Sequence, residues 1–189
     1  AGSLAKNGGE EEVSRQKLAE AVASLSHVSV DFILKSDMER SLGLNERIKE
    51  NIVGQDQAVD KITNLVKRSY AGLRKRPNLG AFLFYGPSGV GKTQMCKELA
   101  RNLFGSVDFL IKLDMSEYSS EAAVFKLIGA PAGHVGYEDG GLLTNAVKKK
   151  PFSVVLFDEL EKAHDKVRKC LLQILEPLRF LLLQESRFD

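Results

Sequence analysis

The chain has 189 residues, 43% of them hydrophobic and 28% charged, with a formal net charge of +2. That composition supports a buried core and reads as one globular domain behind a leader. It argues against membrane and nucleic-acid roles. No apolar run nears the roughly 20 residues that span a bilayer, and residues 1–12 lack the apolar core of a signal peptide. In the basic clusters Arg74-Lys75-Arg76 and Lys148-Lys149-Lys150 no aromatic residues interleave with the charges to stack bases. A cytosolic or organelle-matrix location fits these features. Cys96 and Cys170 lie far apart in amphipathic helical patterns, so they read as buried thiols rather than as zinc ligands or a disulfide.

Taken in order, residues 1–12 are small and then acidic, the signature of a disordered leader or a scar of expression. Residues 13–50 read as a helical linker and residues 51–189 as the nucleotide-binding domain. Leu18, Val22 and Leu25 fall at helical spacing and predict a first helix from Val13 with one apolar stripe; Val28-Ser29-Val30 looks extended. Ser36 with Glu39 three places on has the capping-box spacing and opens a predicted helix to Lys49. Gly54 interrupts, and Val59, Ile62, Val66 and Tyr70 predict a helix over Asp56 to Leu73. Further helices are expected over Thr93–Phe104, Glu121–Ile128 and Leu142–Lys149, and a last one capped by Asp165 and stopped by Pro177. Strands are expected over 81–85, 109–115 and 152–157, the last an apolar run suited to burial on both faces of a parallel sheet. The run Arg179 to Gln184 is expected to form a further strand, parallel to 81–85 and 152–157 and lying between them, with Gln184 or Ser186 at its active-site end.

Gly86-Pro87-Ser88-Gly89-Val90-Gly91-Lys92-Thr93 is a GxxxxGKT phosphate loop set between the apolar run ending at Tyr85 and a predicted helix. The glycines let consecutive backbone N–H groups turn toward one centre, and the helix adds its positive N-terminal end. Lys92 then reaches the outer phosphates of a nucleotide such as ATP, and the Thr93 hydroxyl is placed to ligate Mg2+. A chance glycine-rich loop is the plainer alternative. Asp158-Glu159 follows an apolar strand at the same sheet edge. There Asp158 would hold the magnesium, directly or through water, and Glu159 would deprotonate an attacking water; an aspartate that merely caps the strand end is the alternative.

From about residue 20 to Glu176 the chain resembles the second ATPase module of the Clp-type AAA+ unfoldases, the ClpA, ClpB and ClpC group. Val53-Gly54-Gln55-Asp56 is similar to the family's VGQD, Gly86–Thr93 to its GPTGVGKT, and Asp114–Tyr118 to its DMSEY. Leu127–Pro131 is similar to the start of its LIGAPPGYVGY pore segment, and Leu156–His164 to its LLDEIEKAH. The resemblance implies a P-loop AAA+ α/β fold, a parallel sheet flanked by helices. It also implies an adenine pocket lined by Ile52 and Val53, a hexameric ring, and ATP hydrolysis driving translocation of unfolded or aggregated polypeptide past a pore loop. A protease or a fuller ATPase would be the further partner.

Two departures shape the expectation. His134 stands where the family has its gripping tyrosine, with Val135 and Tyr137 matching the rest of that segment. After Glu176 the family's hairpin, sensor asparagine, arginine finger and helical lid have no counterpart here, and slow hydrolysis by this chain alone is expected. The expected function is therefore the ATP-binding and ATP-hydrolysing module of such a chaperone ring. The rival is a non-motor nucleotide-binding module that joins or modulates a ring of fuller relatives. A small-molecule kinase is a third, less favoured reading.

Overall fold

The computed structural model describes residues 14–26, 28, 30–71, 80–131, 133, 140–175 and 185–187. Helix α1 (Arg15–Ser26) packs against α2 (Val30–Leu34). The expected stripe on α1 is not buried: Leu18, Val22 and Leu25 are 57%, 38% and 82% exposed, and Ala19 is the residue that goes inside. Val30, expected to be extended, begins α2. That short helix carries Phe32 into the core, where its ring meets the edges of Phe104 and Phe152 at centroid separations of 5.8 and 5.6 Å.

The predicted helix over 36–49 starts as expected and then breaks. Ser36 Oγ accepts from the Glu39 backbone N–H at 3.2 Å while the Ser36 N–H donates to the Glu39 carboxylate at 2.7 Å, the reciprocal capping box. Gly43 then takes a left-handed φ of 64° and divides the stretch into α3 (Asp37–Ser41) and α4 (Leu44–Lys49). Arg47 donates to the Leu42 carbonyl at 2.8 Å and so satisfies an acceptor that the break would orphan. Leu44 and Ile48 are wholly buried, which explains the break: the turn at Gly43 aims both at the core. After Gly54, α5 (Asp56–Tyr70) buries Val59, Ile62 and Val66 at the spacing read from sequence.

Four strands are described: β1 (Leu83–Tyr85), β2 (Leu110–Asp114), β3 (Val154–Asp158) and β4 (Glu185–Arg187). Both pairings are parallel, β1 with β4 and β2 with β3. Strand β2 is shorter than expected because its ends turn into 3-10 helices. Ser106 Oγ accepts from the Asp108 N–H at 3.1 Å before it, and Asp114 Oδ1 accepts from the Ser116 N–H at 2.9 Å after it. Residues 179–184, expected to form the slot-filling strand, lie outside the described residues. The strand that runs parallel to β1 is Glu185–Arg187, with Ser186 opposite Phe84, and its described ladder joins β1 and not β3. Strand β3 is half-buried at every position.

Helix α6 (Lys92–Phe104) runs from Gly91 to Gly105, both left-handed, and is followed by α7 (Ala123–Ile128), α8 (Leu142–Lys149) and α9 (Asp165–Leu175). Asp165, expected as the cap of α9, is its first helical residue and pairs with Arg168. His164 does the capping: its Nδ1 accepts from the Lys166 N–H at 3.2 Å. Cys96 is buried and Cys170 half-buried, and neither is in a disulfide.

Two apolar clusters sandwich the β2–β3 pair. One gathers α2, α4, α5 and α6 and touches Leu110 and Val154; the other gathers α7, α8, α9 and the turn at Met115–Tyr118 and touches Leu113, Val155 and Phe157. The two-residue period of a strand therefore turns Lys112, Asp114, Leu156 and Asp158 toward the α6 side. Between α7 and α8 the chain leaves and returns at one point. A Cβ on Gly141 would lie 2.3 Å from the Leu127 carbonyl oxygen and 2.4 Å from the Gly129 nitrogen, so only glycine fits there.

Candidate functional site

Strand β1 delivers the chain into the phosphate loop, where Gly86, Gly89 and Gly91 have φ values of 140°, 85° and 101°. A Cβ at Gly89 or Gly91 would meet nothing within 4 Å. Glycine is needed there for backbone conformation and not for space: left-handed residues let successive N–H groups converge. The Lys92 ammonium donates to the carbonyl oxygens of Gly86 and Pro87 at 2.8 and 2.6 Å, so the cation lies within the span of the loop. Pro87, Ser88 and Gly89 are exposed, while Val90, Gly91, Lys92 and Thr93 are half-buried. Val90 leans on the apolar cluster and anchors the loop to the core. Converging N–H donors, one ammonium and a hydroxyl make a donor set that suits phosphate oxygens.

Beside the loop lies a cavity of about 340 Å³. Asn51, Ile52, Val53 and Gln55 line one wall, and Gly89–Gly91 with Gln94 line the other. Ile52 is buried in the core and fixes its segment, whereas Val53 is 90% exposed and offers an apolar surface. Both residues expected at an adenine pocket therefore reach the same cavity as the phosphate loop.

At the end of β3, Asp158 lies opposite Asp114 across the ladder and faces α6. Its Oδ2 is 2.8 Å from Lys112 Nζ, and this carboxylate holds the Lys112 ammonium above its ordinary value. The Cys96 thiol on α6 is pushed up to about 12, first by burial and then by the negative charge of Asp158. Asp158 thus projects toward the helix that opens with Lys92 and Thr93. Asp114 is held below the usual carboxylate range by the hydroxyl and N–H of Ser116, which commits it to its local turn. Glu159 has φ 53°, the one non-glycine residue with positive φ among the described residues, and its carboxylate pairs with Lys162. Backbone strain of this kind recurs at functional sites.

His134, Val135 and Tyr137, the expected pore-loop residues, lie outside the described residues. Three residues at the site were not read from sequence. Lys112 carried a signal, since a charge inside an otherwise apolar strand needs a partner. Asn51 and Gln94 carried none in isolation, because polar residues on helices and loops are ordinary.

The chain matches the family model described as AAA domain (Cdc48 subfamily) over residues 77–180, more than half its length. It is 48% identical over 167 residues to the chaperone protein ClpB of Clostridium perfringens, covering 88% of this chain and 19% of that protein. It is 51% identical over 168 residues to ClpB of Nitratidesulfovibrio vulgaris, again covering 88% of this chain and 19% of that protein. A solved S. cerevisiae Hsp104–ADP complex aligns with TM-score 0.73 and 38% identity over 92% of this chain and 24% of that one. The chain spans about a fifth of the length of these ClpB relatives. The resemblance to Clp-type modules, drawn from five separate motifs, is thereby borne out, as is the P-loop α/β fold. The chain belongs to the AAA domain family, Cdc48 subfamily.

Proposed function

We propose that the chain is the ATP-binding and ATP-hydrolysing module of a Clp-type protein unfoldase or disaggregase. The observation that carries this reading is the phosphate loop itself, left-handed at Gly89 and Gly91 with the Lys92 ammonium inside it. Lys92 and the loop N–H groups would hold the outer phosphates, and Ile52 and Val53 the adenine. Thr93 and Asp158 offer the hard oxygen donors that Mg2+ takes. A bound magnesium supplies charge neutralisation to the phosphates. Glu159 then accepts the proton of an attacking water, once its carboxylate exchanges Lys162 for that water.

The wider assembly follows from the same reading: a hexameric ring that acts on unfolded or aggregated polypeptide through the segment of His134, Val135 and Tyr137, with a protease or fuller ATPase as possible further partner. No helix among the described residues is long and apolar enough to cross a membrane, and a cytoplasmic or organelle-matrix site of action suits the proposal. One observation favours the non-motor alternative: a histidine at position 134 offers less apolar surface for gripping a chain than a tyrosine. His134→Tyr separates the two, since a motor should gain unfolding activity in an assembled ring and a non-motor module should not.

The central test is a titration of the parent and Lys92→Ala with a fluorescent ATP analogue. Loss of a charge-assisted contact to phosphate should weaken binding by about tenfold or more. Equal affinities would overturn the site assignment.

A further inference from the structure

Glu98 lies on α6, one turn beyond Gln94, and is wholly buried. A buried carboxylate is costly unless it is hydrogen-bonded, and both oxygens of this one accept. Oε1 accepts from Gln94 Nε2 at 3.2 Å and pairs with Arg101; Oε2 accepts from Asn102 Nδ2 at 3.4 Å and from Asn51 Nδ2 at 3.2 Å. Gln94, Arg101 and Asn102 are on α6 with Glu98, so those contacts stay within one helix. Asn51 belongs instead to the segment between α4 and α5. Asn102 Oδ1 accepts from Arg47 Nε of α4 at 3.1 Å, a further link from α6 to that side of the molecule.

The cavity beside the phosphate loop is built on the same two elements. Asn51, Ile52, Val53 and Gln55 form one wall, and the loop with the first turn of α6 forms the other. Side-chain hydrogen bonds tie the walls together at both ends of the 51–55 segment: Asn51 to Glu98, and Gln55 Nε2 to the Val90 carbonyl at 3.5 Å. The second is at the limit of useful length, so the firmer tie is the one to the buried carboxylate. Val53 depends on it most, being 90% exposed and followed by Gly54 at φ 79°, so that the anchorage of its neighbours is what keeps it in the cavity wall. We propose that Glu98 is a positioning residue: by holding Asn51 it fixes the 51–55 wall at one distance from α6, so that the base and the phosphates of one nucleotide meet a preformed cavity. Without the tie the wall must be ordered each time a base binds, and that cost lowers affinity. The proposal rests on the nucleotide reading of the site; it adds a residue that acts through Asn51, and it holds for any base.

Inorganic tripolyphosphate has no base to meet the 51–55 wall, so the ratio of ATP affinity to tripolyphosphate affinity reads that wall apart from the loop. Both affinities are measured by calorimetry on the full chain for the parent, Glu98→Ala, Asn51→Ala and the double variant. The ratio should fall about three- to tenfold in Glu98→Ala, the worth of one hydrogen bond, while tripolyphosphate affinity holds. Asn51→Ala should lower it by a similar factor, and the double variant by no more than either single change, because both remove the same tie. A purely structural role would lower the thermal midpoint and weaken both ligands alike, so an unchanged ratio or a parallel loss overturns the proposal. So do additive effects in the double variant, which would mean that Asn51 acts by touching the ligand itself. If Glu98→Ala fails to fold, Asn51→Asp at its exposed position carries the decision. That change keeps an oxygen on the side chain but loses the donor and repels Glu98, so the ratio should again fall, and a ratio equal to the parent's overturns the proposal. A parent that binds neither ligand would defeat the nucleotide reading, and this proposal with it.

Discussion

The phosphate loop and the acidic edge of β3 are two halves of one candidate site, built by different means. The loop is shaped by backbone: left-handed glycines, the start of α6, and Val90 packed on the core. The acidic edge is shaped by charge, with Asp158 held by Lys112 and Glu159 by Lys162, all four side chains at least a third exposed. Backbone conformation is set once by folding and changes little with solvent. Exposed ion pairs are weak and exchangeable. The lesson is that the half expected to hold phosphate is rigid, while the half expected to meet metal and water can change partners.

The sharpest way to break this comparison is Glu159→Gln. The amide keeps the shape and cannot take a proton, so turnover should fall by about 10²-fold or more while ATP-analogue affinity stays close to the parent's. Steady-state hydrolysis in an assembled ring, set beside the binding titration, checks it; undiminished turnover would remove Glu159 from the role of base. Next in size is Gly91→Val. A β-branched residue at φ 101° is strained by about 1–3 kcal/mol, which should lower the thermal midpoint and weaken tripolyphosphate binding by about tenfold. Unaltered binding would show that the loop is not held by its backbone.

Lys112→Met probes the other half. Removing an ammonium 2.8 Å from Asp158 frees the carboxylate, so the Mg2+ concentration needed for half-maximal analogue binding should drop by about threefold, in keeping with an exposed pair. A higher requirement would mean that Lys112 helps the metal rather than competing with it. The smallest effect concerns pH. Asp114 is held below its ordinary 3.8 in the fold by Ser116, so its contribution is present above that value and lost as pH falls through the lower folded value. Ser116→Ala should therefore melt slightly earlier at neutral pH, and the gap to the parent should close in acid. A gap that widens in acid would contradict the assignment.

Much of the loop side was legible in the residues because its rules are local. The GxxxxGKT spacing names its own glycines, the strand before it is apolar, and the positions of Ile52 and Val53 follow from a motif. Helix periodicity located α5, α6 and α8 for the same reason. What escaped was set by tertiary packing. The stripe of Leu18, Val22 and Leu25 has the period of a buried face and is exposed, since no rule of spacing says what lies opposite. The break at Gly43 follows from the two leucine and isoleucine side chains it turns inward. The contact of Asn51 with Glu98 spans 47 positions, and Lys112 and Asp158 sit on different strands. A local pattern can show that Lys112 needs a partner, but it does not name the partner.

The junction at Gly129 and Gly141 has a consequence for how this chain tolerates change. Because the feet of the intervening segment touch, with a Cβ on Gly129 only 3.1 Å from the Gly141 nitrogen, the excursion is closed at its base before its tip is specified. Lengthening a loop closed at its base costs little, about 0.6 kcal/mol for a doubling. The constraint therefore sits at the base, where Gly129 and Gly140 have φ of 101° and 65° and Gly141 has no room for a Cβ. A substitution at Gly141 would force α7 and α8 apart.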